Sequence, residues 1–361
     1  KHGIKLVLGY TVEGFKEKDN GVEVLLKDNP SLQADMVVLA IGVTPDTVLA
    51  KEAGLELGIK ESIVVNDRME TSVPDIYAAG DAVQVKHYVT GDDALISLAG
   101  PANKQGRIIA DNICGGDSHY LGSQGSSVIK VFDMTAATTG INETNAKKSG
   151  LEVDTVILSP MSHAGYYPGG KVMTMKVVFE KETYRLLGAQ IIGYEGVDKR
   201  IDVLATAIHA GLKATQLKDL DLAYAPPYSS AKDPVNMAGF MIDNIAKGTL
   251  KQWHLEDMDK ISKDKNAVLL DVRTVGEFSR GHINGFKNIP VDELRERINE
   301  VEKGKPVYLI CQSGLRSYIA SRILEGNGYE TYNFSGGFRF YDAVANDHAL
   351  IERSYACGMD Y

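Results

Sequence analysis

The sequence predicts a multidomain protein built from α/β and α+β layers, and three observations carry that expectation. Residues 307–310 form an apolar run that ends in Cys311, a loop with Gly314 at its bend and then a helical pattern, the strand–loop–helix unit of an α/β layer. Residues 76–79 read as a strand ending in Gly80-Asp81, with a helix expected over 103–114. Between 122 and 247, strands alternate with helices in the order expected for helices packed on one face of an antiparallel sheet. At 361 residues the chain has room for two or three domains, each with its own core.

Along the first 43 residues, short strands at 4–8, 12–16 and 22–26 are expected, the last two joined by the turn Asp19-Asn-Gly21, followed by an apolar strand at 36–42. In the next stretch 63–66 also reads as a strand, and Gly80 allows a ligand to approach the backbone while Asp81 presents a carboxylate at a strand's carboxyl end. A plain helix N-cap is the other reading of Asp81. From 122 the pattern gives strands at 127–132, 153–158, 172–179 and 186–192, with helices at 142–149 and 197–210. A further helix follows Asp233-Pro-Val-Asn236 and runs to Ala246, and 247–252 reads as a polar linker. Two loops, His163-Ala-Gly-Tyr-Tyr-Pro-Gly169 and Leu222-Ala-Tyr-Ala-Pro-Pro-Tyr-Ser229, are stiffened by Pro and Gly and would hold phenol groups at fixed positions, although packing is the default reading of such aromatics.

The loop after residue 310 has the composition of a thiolate site. Backbone N–H groups of a tight turn and the positive end of the following helix would surround the Cys311 sulfur with donors, and Arg316 adds a fixed positive charge. A buried structural cysteine is the alternative. Cys114, at a helix end before Gly115-Gly116, is assigned to packing, and Cys357, in a polar tail, is a surface thiol with a resolving role toward Cys311 as the alternative. Asp271 and Arg273 are expected to pin the loop by a salt bridge and His282 to cap a turn. Lys104 and Arg107 read equally well as solvated helix charges.

Lys and Arg number 39 against 48 Asp and Glu, a net charge of −9 with no basic block, which argues against a nucleic-acid partner. Three cysteines without paired spacing indicate a reducing compartment, and no apolar run approaches the about 18–20 residues that span a bilayer. The expectation is a soluble, cytoplasmic protein with no membrane partner. The chain opens in strand-like sequence without Met and has no Gly-x-Gly-x-x-Gly after a strand, so it is expected to be the C-terminal portion of a longer polypeptide.

Residues 269–273, Glu277-Phe278, Gly281-His-Ile283, Asn288-Ile-Pro290 and the Cys311–Ser317 loop together resemble a rhodanese (sulfurtransferase) domain from about 253 to 343. Cysteine phosphatases place five residues between the cysteine and arginine of their anion loop; here there are four, a tighter cradle suited to a persulfide. Ala78-Ala-Gly-Asp-Ala82 is similar to the second flavin motif of the two-dinucleotide-fold flavoprotein disulfide reductases. Leu98-Ala-Gly-Pro-Ala-Asn-Lys-Gln-Gly-Arg107 resembles the family segment beside the isoalloxazine ring. The chain thus resembles the coenzyme A-disulfide reductase and persulfide reductase branch of the pyridine nucleotide-disulfide oxidoreductases, fused to a rhodanese domain.

That resemblance implies a partial two-dinucleotide-fold flavoprotein, an α+β dimerisation domain and a rhodanese-like α/β domain. Residues 1–43 would end an NAD(P)-binding domain, 44–121 would be the C-terminal part of an FAD-binding domain, 122–247 the dimerisation domain and 253–361 the rhodanese-like domain. It implies FAD and NAD(P)H as cofactors, coenzyme A as substrate or bound ligand, and a homodimer acting on a small thiol, disulfide or persulfide. FAD would be held by Asp81, Ala82, Gly100, Pro101 and Ala102. Tyr166 and Tyr224, with Tyr167 and Tyr228 as fallbacks, would face the substrate sulfur across the dimer, and Cys311 with Arg316 would carry sulfane sulfur. The redox cysteine of the family is not among the three present. Two other readings remain beside this one: a stand-alone rhodanese-type sulfurtransferase on a dimeric scaffold, and a non-catalytic sulfur-binding module.

Overall fold

The structure is a computed structural model that describes residues 3–345. The described residues divide into two compact units, 3–43 with 341–345, and 44–340.

In the first unit, β1 (Val12–Lys18), β2 (Gly21–Leu26) and β3 (Asn29–Ala34) form an antiparallel meander in that order. The first hairpin turns where Gly21 adopts φ +135, and a Cβ there would collide with the Ala34 carbonyl oxygen, so only glycine fits. Two expected strands are corrected. Residues 4–8 and 36–42 are not strands, and Met36 and Ile41 are 76% and 87% exposed. An apolar run becomes a buried parallel strand only with neighbours on its hydrogen-bonding edges, and no described strand supplies them here. β3 was not among the expected strands.

The second unit opens with the short helix α1 (Val48–Glu52) and a small sheet of β4 (Ile63–Val64), β5 (Val83–Lys86) and β6 (Asp93–Ala94). β4 and β5 are parallel, β5 and β6 antiparallel. Residues 76–79, expected as a strand, contribute only an isolated bridge between Tyr77 and Glu70. Helix α2 (Ala99–Ile113) packs Ile108 and Ile109 on the buried Met69, Val83 and Val85. It begins four residues earlier than the sequence reading, so Gly100, Pro101 and Ala102 lie in its first turn, where Pro costs no hydrogen bond.

Next comes a five-stranded antiparallel sheet in the order β7 (Ser127–Val131), β8 (Met134–Gly140), β11 (Leu186–Gly193), β10 (Met173–Glu180), β9 (Val153–Leu158). Helix α3 (Glu143–Lys148) starts at Asn142, whose side chain accepts from the Asn145 N–H, and α4 (Val197–His209) and α5 (Pro234–Ala246) cover the sheet. The sheet and helices share one core, with Met175, Val177, Ile191, Leu204 and Ile242 fully buried. β8 was missed because its Ala and Thr residues give no apolar period.

The last layer is a five-stranded parallel sheet in the order β12 (Gln252–Trp253), β16 (Thr331–Phe334), β15 (Val307–Ile310), β13 (Val268–Asp271), β14 (Lys287–Asn288). Helices α6 (Met258–Ile261), α7 (Val275–Arg280) and α8 (Leu315–Glu325) connect its strands. β15 is the central strand, and Cys311 follows its carboxyl end, the position where open parallel sheets place ligands. Among the described residues, no helix is long and apolar enough to cross a membrane.

Candidate functional site

The Cys311 cradle is made by the turn from β15 into α8. Gly314 is the N-cap of α8 with φ +99, a left-handed conformation that aims its N–H back at Cys311 Sγ, 3.1 Å away. Ser317, one turn into the helix, places its Oγ 3.2 Å from the same sulfur and 3.1 Å from the Gly314 carbonyl oxygen. Cys311 is fully buried, while Ser313 and Leu315 at the loop's tip are exposed.

Two ion pairs brace the loop. Arg273 and Asp271 are both buried, with Arg273 Nη2 2.7 Å from Asp271 Oδ2, 2.8 Å from the Gly281 carbonyl and the guanidinium 3.8 Å over the Phe338 ring. The expected Asp271–Arg273 bridge is present. Arg316 donates to both oxygens of Glu277 at 2.7 Å, which holds that carboxyl down at about 2, and Thr274 adds hydrogen bonds to it. The Arg316 guanidinium, expected as a fixed positive charge, is shared with this carboxylate. His282 Nδ1 lies 3.1 Å from the Phe278 carbonyl and its ring stacks on Phe278 at 4.0 Å, a turn-capping placement.

The tyrosine loops form a second centre. Tyr166 and Tyr224 join hydroxyl to hydroxyl at 2.7 Å, and the Tyr166 hydrogen bond pushes the Tyr224 phenol up. Both are exposed, as are Tyr167 and Tyr228, and Tyr167 meets the buried His163 edge-on at 5.6 Å. Behind Tyr224 is a cavity of about 480 Å³ bordered by His163, Glu195, Lys199, Arg200 and Tyr228. Its floor is Arg200, buried from α4, which donates to the Ser162 carbonyl at 2.9 Å, Ser229 Oγ at 3.1 Å and Asp233 Oδ2 at 3.0 Å. Asp233 also accepts the Val235 N–H and so caps α5. Arg200, Ser229 and Asp233 had no role in the sequence reading; only the Asp-Pro pair of a helix start marked one of them.

The segments expected to hold flavin, 78–82 and 98–107, are brought side by side. Gly80 donates its N–H to the buried Gln105 Oε1 at 2.7 Å, and a Cβ on Gly80 would meet that of Ala102 at 3.9 Å. Asp81 and Ala82 thus flank the first turn of α2, which carries Gly100, Pro101 and Ala102 and has no side-chain cap over its free N–H groups. The Asp81 carboxylate is exposed and accepts no hydrogen bond from the described residues. Free N–H donors of a helix end beside an unpaired carboxylate suit the carbonyl oxygens and ribityl hydroxyls of a flavin, so these residues fit the group. Cys114 is exposed at the end of α2, and Cys357 lies outside the described residues. Among the described residues no cluster of His, Cys, Asp or Glu could hold a metal.

Three family models of known proteins match stretches of the chain. Residues 1–106 match the pyridine nucleotide-disulphide oxidoreductase model and residues 126–234 match the dimerisation domain of the same family. The chain belongs to the pyridine nucleotide-disulphide oxidoreductases. Residues 254–343 match the rhodanese-like domain. A solved structure titled reduced Bacillus anthracis CoADR-RHD is 47% identical with a TM-score of 0.90, covering 94% of this chain and 60% of that one. A NAD-dependent persulfide reductase from A. fulgidus is 40% identical with a TM-score of 0.84, covering 92% and 60%. A curated relative, the CoA-dependent NAD(P)H sulfur oxidoreductase of Pyrococcus abyssi, is 38% identical over 235 residues, 65% of this chain and 52% of its own. The chain therefore spans about half the length of the curated relatives it matches.

Proposed function

We propose that the chain is part of an FAD- and NAD(P)H-dependent reductase of coenzyme A disulfide or persulfide, a cytoplasmic homodimer in which Cys311 carries sulfane sulfur. The observation that carries the sulfur-transfer half is the Cys311 sulfur, which faces two hydrogen-bond donors, the Gly314 N–H and the Ser317 hydroxyl, at the carboxyl end of a central parallel strand. The thiolate is the nucleophilic form of a cysteine, and both donors face the atom that would carry its charge. The thiolate attacks the outer sulfur of thiosulfate or of a coenzyme A persulfide. A new S–S bond forms on Cys311 as the old one breaks, sulfite or coenzyme A thiolate leaves, and the terminal persulfide sulfur inherits the negative charge. An acceptor such as cyanide then takes that sulfur and returns Cys311 to the thiolate.

The reductase half rests on the family and on the fit of the flavin segments. The redox relay between NAD(P)H and the sulfur–sulfur bond of the substrate would be supplied by FAD. Asp81, Ala82 and the first turn of α2 with Gly100, Pro101 and Ala102 would hold it. Tyr166 and Tyr224 would donate a hydrogen bond to the thiolate released when that bond is cleaved; one of the paired hydroxyls accepts from the other and keeps its own proton for the substrate.

Thiocyanate formation from thiosulfate and cyanide tests the sulfur-transfer half. The expected result is turnover by the full chain that is lost in Cys311→Ala; an inactive chain, or an active Cys311→Ala variant, overturns the assignment. Retention of the persulfide on Cys311 with no acceptor able to discharge it would favour a sulfur-binding module.

A further inference from the structure

The segment that closes the outside of the Cys311 cradle is also the segment that docks onto the antiparallel sheet. β9 is the edge strand of that sheet, so alternate backbone groups on its outer side have no strand partner. Two of them are instead met by side chains of the C-terminal layer. Ser335 Oγ accepts the Ile157 N–H at 3.0 Å, a buried bond spanning 178 residues, and Gln252 Nε2 donates to the Thr155 carbonyl at 2.8 Å. His254 Nε2 sits 3.1 Å from Asp154 Oδ1 beside them.

From Ser335 the chain turns through Gly336 and Gly337 and reaches the cradle within three residues. The Phe338 N–H donates to the Cys311 carbonyl at 2.8 Å and the Arg339 N–H to the Gln312 carbonyl at 3.2 Å. The approach is tight: a Cβ on Gly337 would lie 2.7 Å from the Ser313 nitrogen. Ser335 is itself buried and its N–H donates to the Trp253 carbonyl at 3.0 Å, so its hydroxyl is left to face β9. On the far side, β9 runs within nine residues into the loop of Tyr166, whose start is pinned where Arg200 holds the Ser162 carbonyl.

We infer that Ser335 is a positioning residue for sulfur transfer: its hydroxyl fixes the wall of the Cys311 cradle to the edge of β9, so that the shape of the cradle depends on the neighbouring sheet as well as on its own layer. The inference rests on reading Cys311 as the sulfur carrier. Rhodanese turnover then requires the docked arrangement, and loosening the dock from either side opens the cradle.

The test measures carbamidomethylation of Cys311 by iodoacetamide in the full chain, followed at the Cys311 peptide by mass spectrometry so that Cys114 and Cys357 do not interfere. Ser335→Ala is expected to raise the Cys311 rate at least fivefold and to lower the kcat for thiocyanate formation with little change in KM for thiosulfate. Ser335→Thr, which restores the oxygen, is expected to return both toward the parent values. Ile157→Pro removes the same hydrogen bond from the other side, at an edge position where proline is tolerated, and is expected to reproduce the Ser335→Ala alkylation rate. An unchanged rate in Ser335→Ala overturns the inference, as does a Ser335→Thr rate equal to that of Ser335→Ala. So does an Ile157→Pro variant that alkylates like the parent, because Ser335 would then act only within its own loop. Absence of thiocyanate formation by the parent chain overturns the sulfur-carrier reading instead and leaves the alkylation comparison standing.

Discussion

The hydroxyl groups of Tyr166 and Tyr224 lie 2.7 Å apart, although 58 residues separate them in the chain. The pair is exposed, so neither phenol is held there by burial; what fixes it is the stiffness of two Pro- and Gly-containing loops and the anchoring of both behind it at Arg200. Removing either hydroxyl deprives the other of its partner. Tyr166→Phe and Tyr224→Phe are each expected to lower disulfide or persulfide reduction about tenfold, the size of one hydrogen bond, and the double variant to fall less than the product of the two. The steady-state kcat of the reductase carrying each change measures this.

Because the Tyr166 hydrogen bond, ahead of desolvation, raises the Tyr224 phenol above its ordinary value, Tyr166→Phe should let Tyr224 titrate at lower pH. Carbon NMR of tyrosine labelled at Cζ reads the shift directly. No movement of the Tyr224 resonance in Tyr166→Phe would show that the pair is not hydrogen-bonded in solution.

Glu277 offers a prediction with a pH window. Its folded value of about 2 lies below the ordinary 4.5, chiefly because Arg316 binds both its oxygens, so the unfolded chain takes up the proton first. The stabilisation is complete above about 4.5 and is lost as pH falls toward 2. Glu277→Gln should remove that dependence: its melting temperature lies below that of the parent at pH 6, and the gap narrows by pH 3. The same change releases the Arg316 guanidinium and should lower KM for thiosulfate, an anion, in the thiocyanate assay.

How much of this could be read from the sequence depends on whether the deciding partner is local. Gly314 at the bend, the Asp233-Pro234 helix start and the Asp271–Arg273 bridge are short-range features with known turn, cap and spacing chemistry, and all of them are found where expected. The two flavin segments and the tyrosine pair came from resemblance, since nothing in composition says that residues 80 and 105, or 166 and 224, meet. The Glu277 partner of Arg316 was not legible, because it lies 39 residues upstream on a different helix. Ser335 was invisible: a serine after a short strand looks like turn chemistry, and only the unpaired edge of β9 gives its hydroxyl a purpose. The runs at 36–42 and 76–79 failed for the converse reason, since an apolar period records a tendency to be buried and is silent about which strand lies alongside.

Ser317 controls a single proton. Its hydroxyl is within reach of both Cys311 Sγ and the Gly314 carbonyl, yet it can donate to only one of them well at a time. With a thiolate at Cys311 the charge-assisted bond to sulfur wins; after the charge moves out to a terminal persulfide sulfur the carbonyl competes better. Ser317→Ala is therefore expected to slow attack on thiosulfate about tenfold and also to slow discharge of the persulfide to cyanide, because the leaving group of that step is the Cys311 thiolate that the hydroxyl faces. Rapid-quench measurement of the two half-reactions separates them, and an unchanged rate of discharge would refute a role for the hydroxyl at the leaving thiolate.

Arg200 and Asp233 carry the largest expected stability effect. Both are buried, the guanidinium serves Ser162, Ser229 and Asp233 at once, and its Nε has no acceptor, so the network already includes one unpaired donor. Arg200→Met keeps the volume but strands the Asp233 carboxylate in the protein interior, at a cost of about 3–5 kcal/mol. Asp233→Asn should cost less, because the amide oxygen can still accept the Val235 N–H and cap α5. Urea unfolding measures both. The two variants differ in a second way: without the guanidinium the loop from Tyr224 to Ser229 loses its anchor, so limited chymotrypsin digestion at Tyr224 and Tyr228 should accelerate in Arg200→Met well before global unfolding. Cleavage there that merely tracked global stability would mean that Arg200 supports the core alone and that the tyrosine loop holds its shape without it.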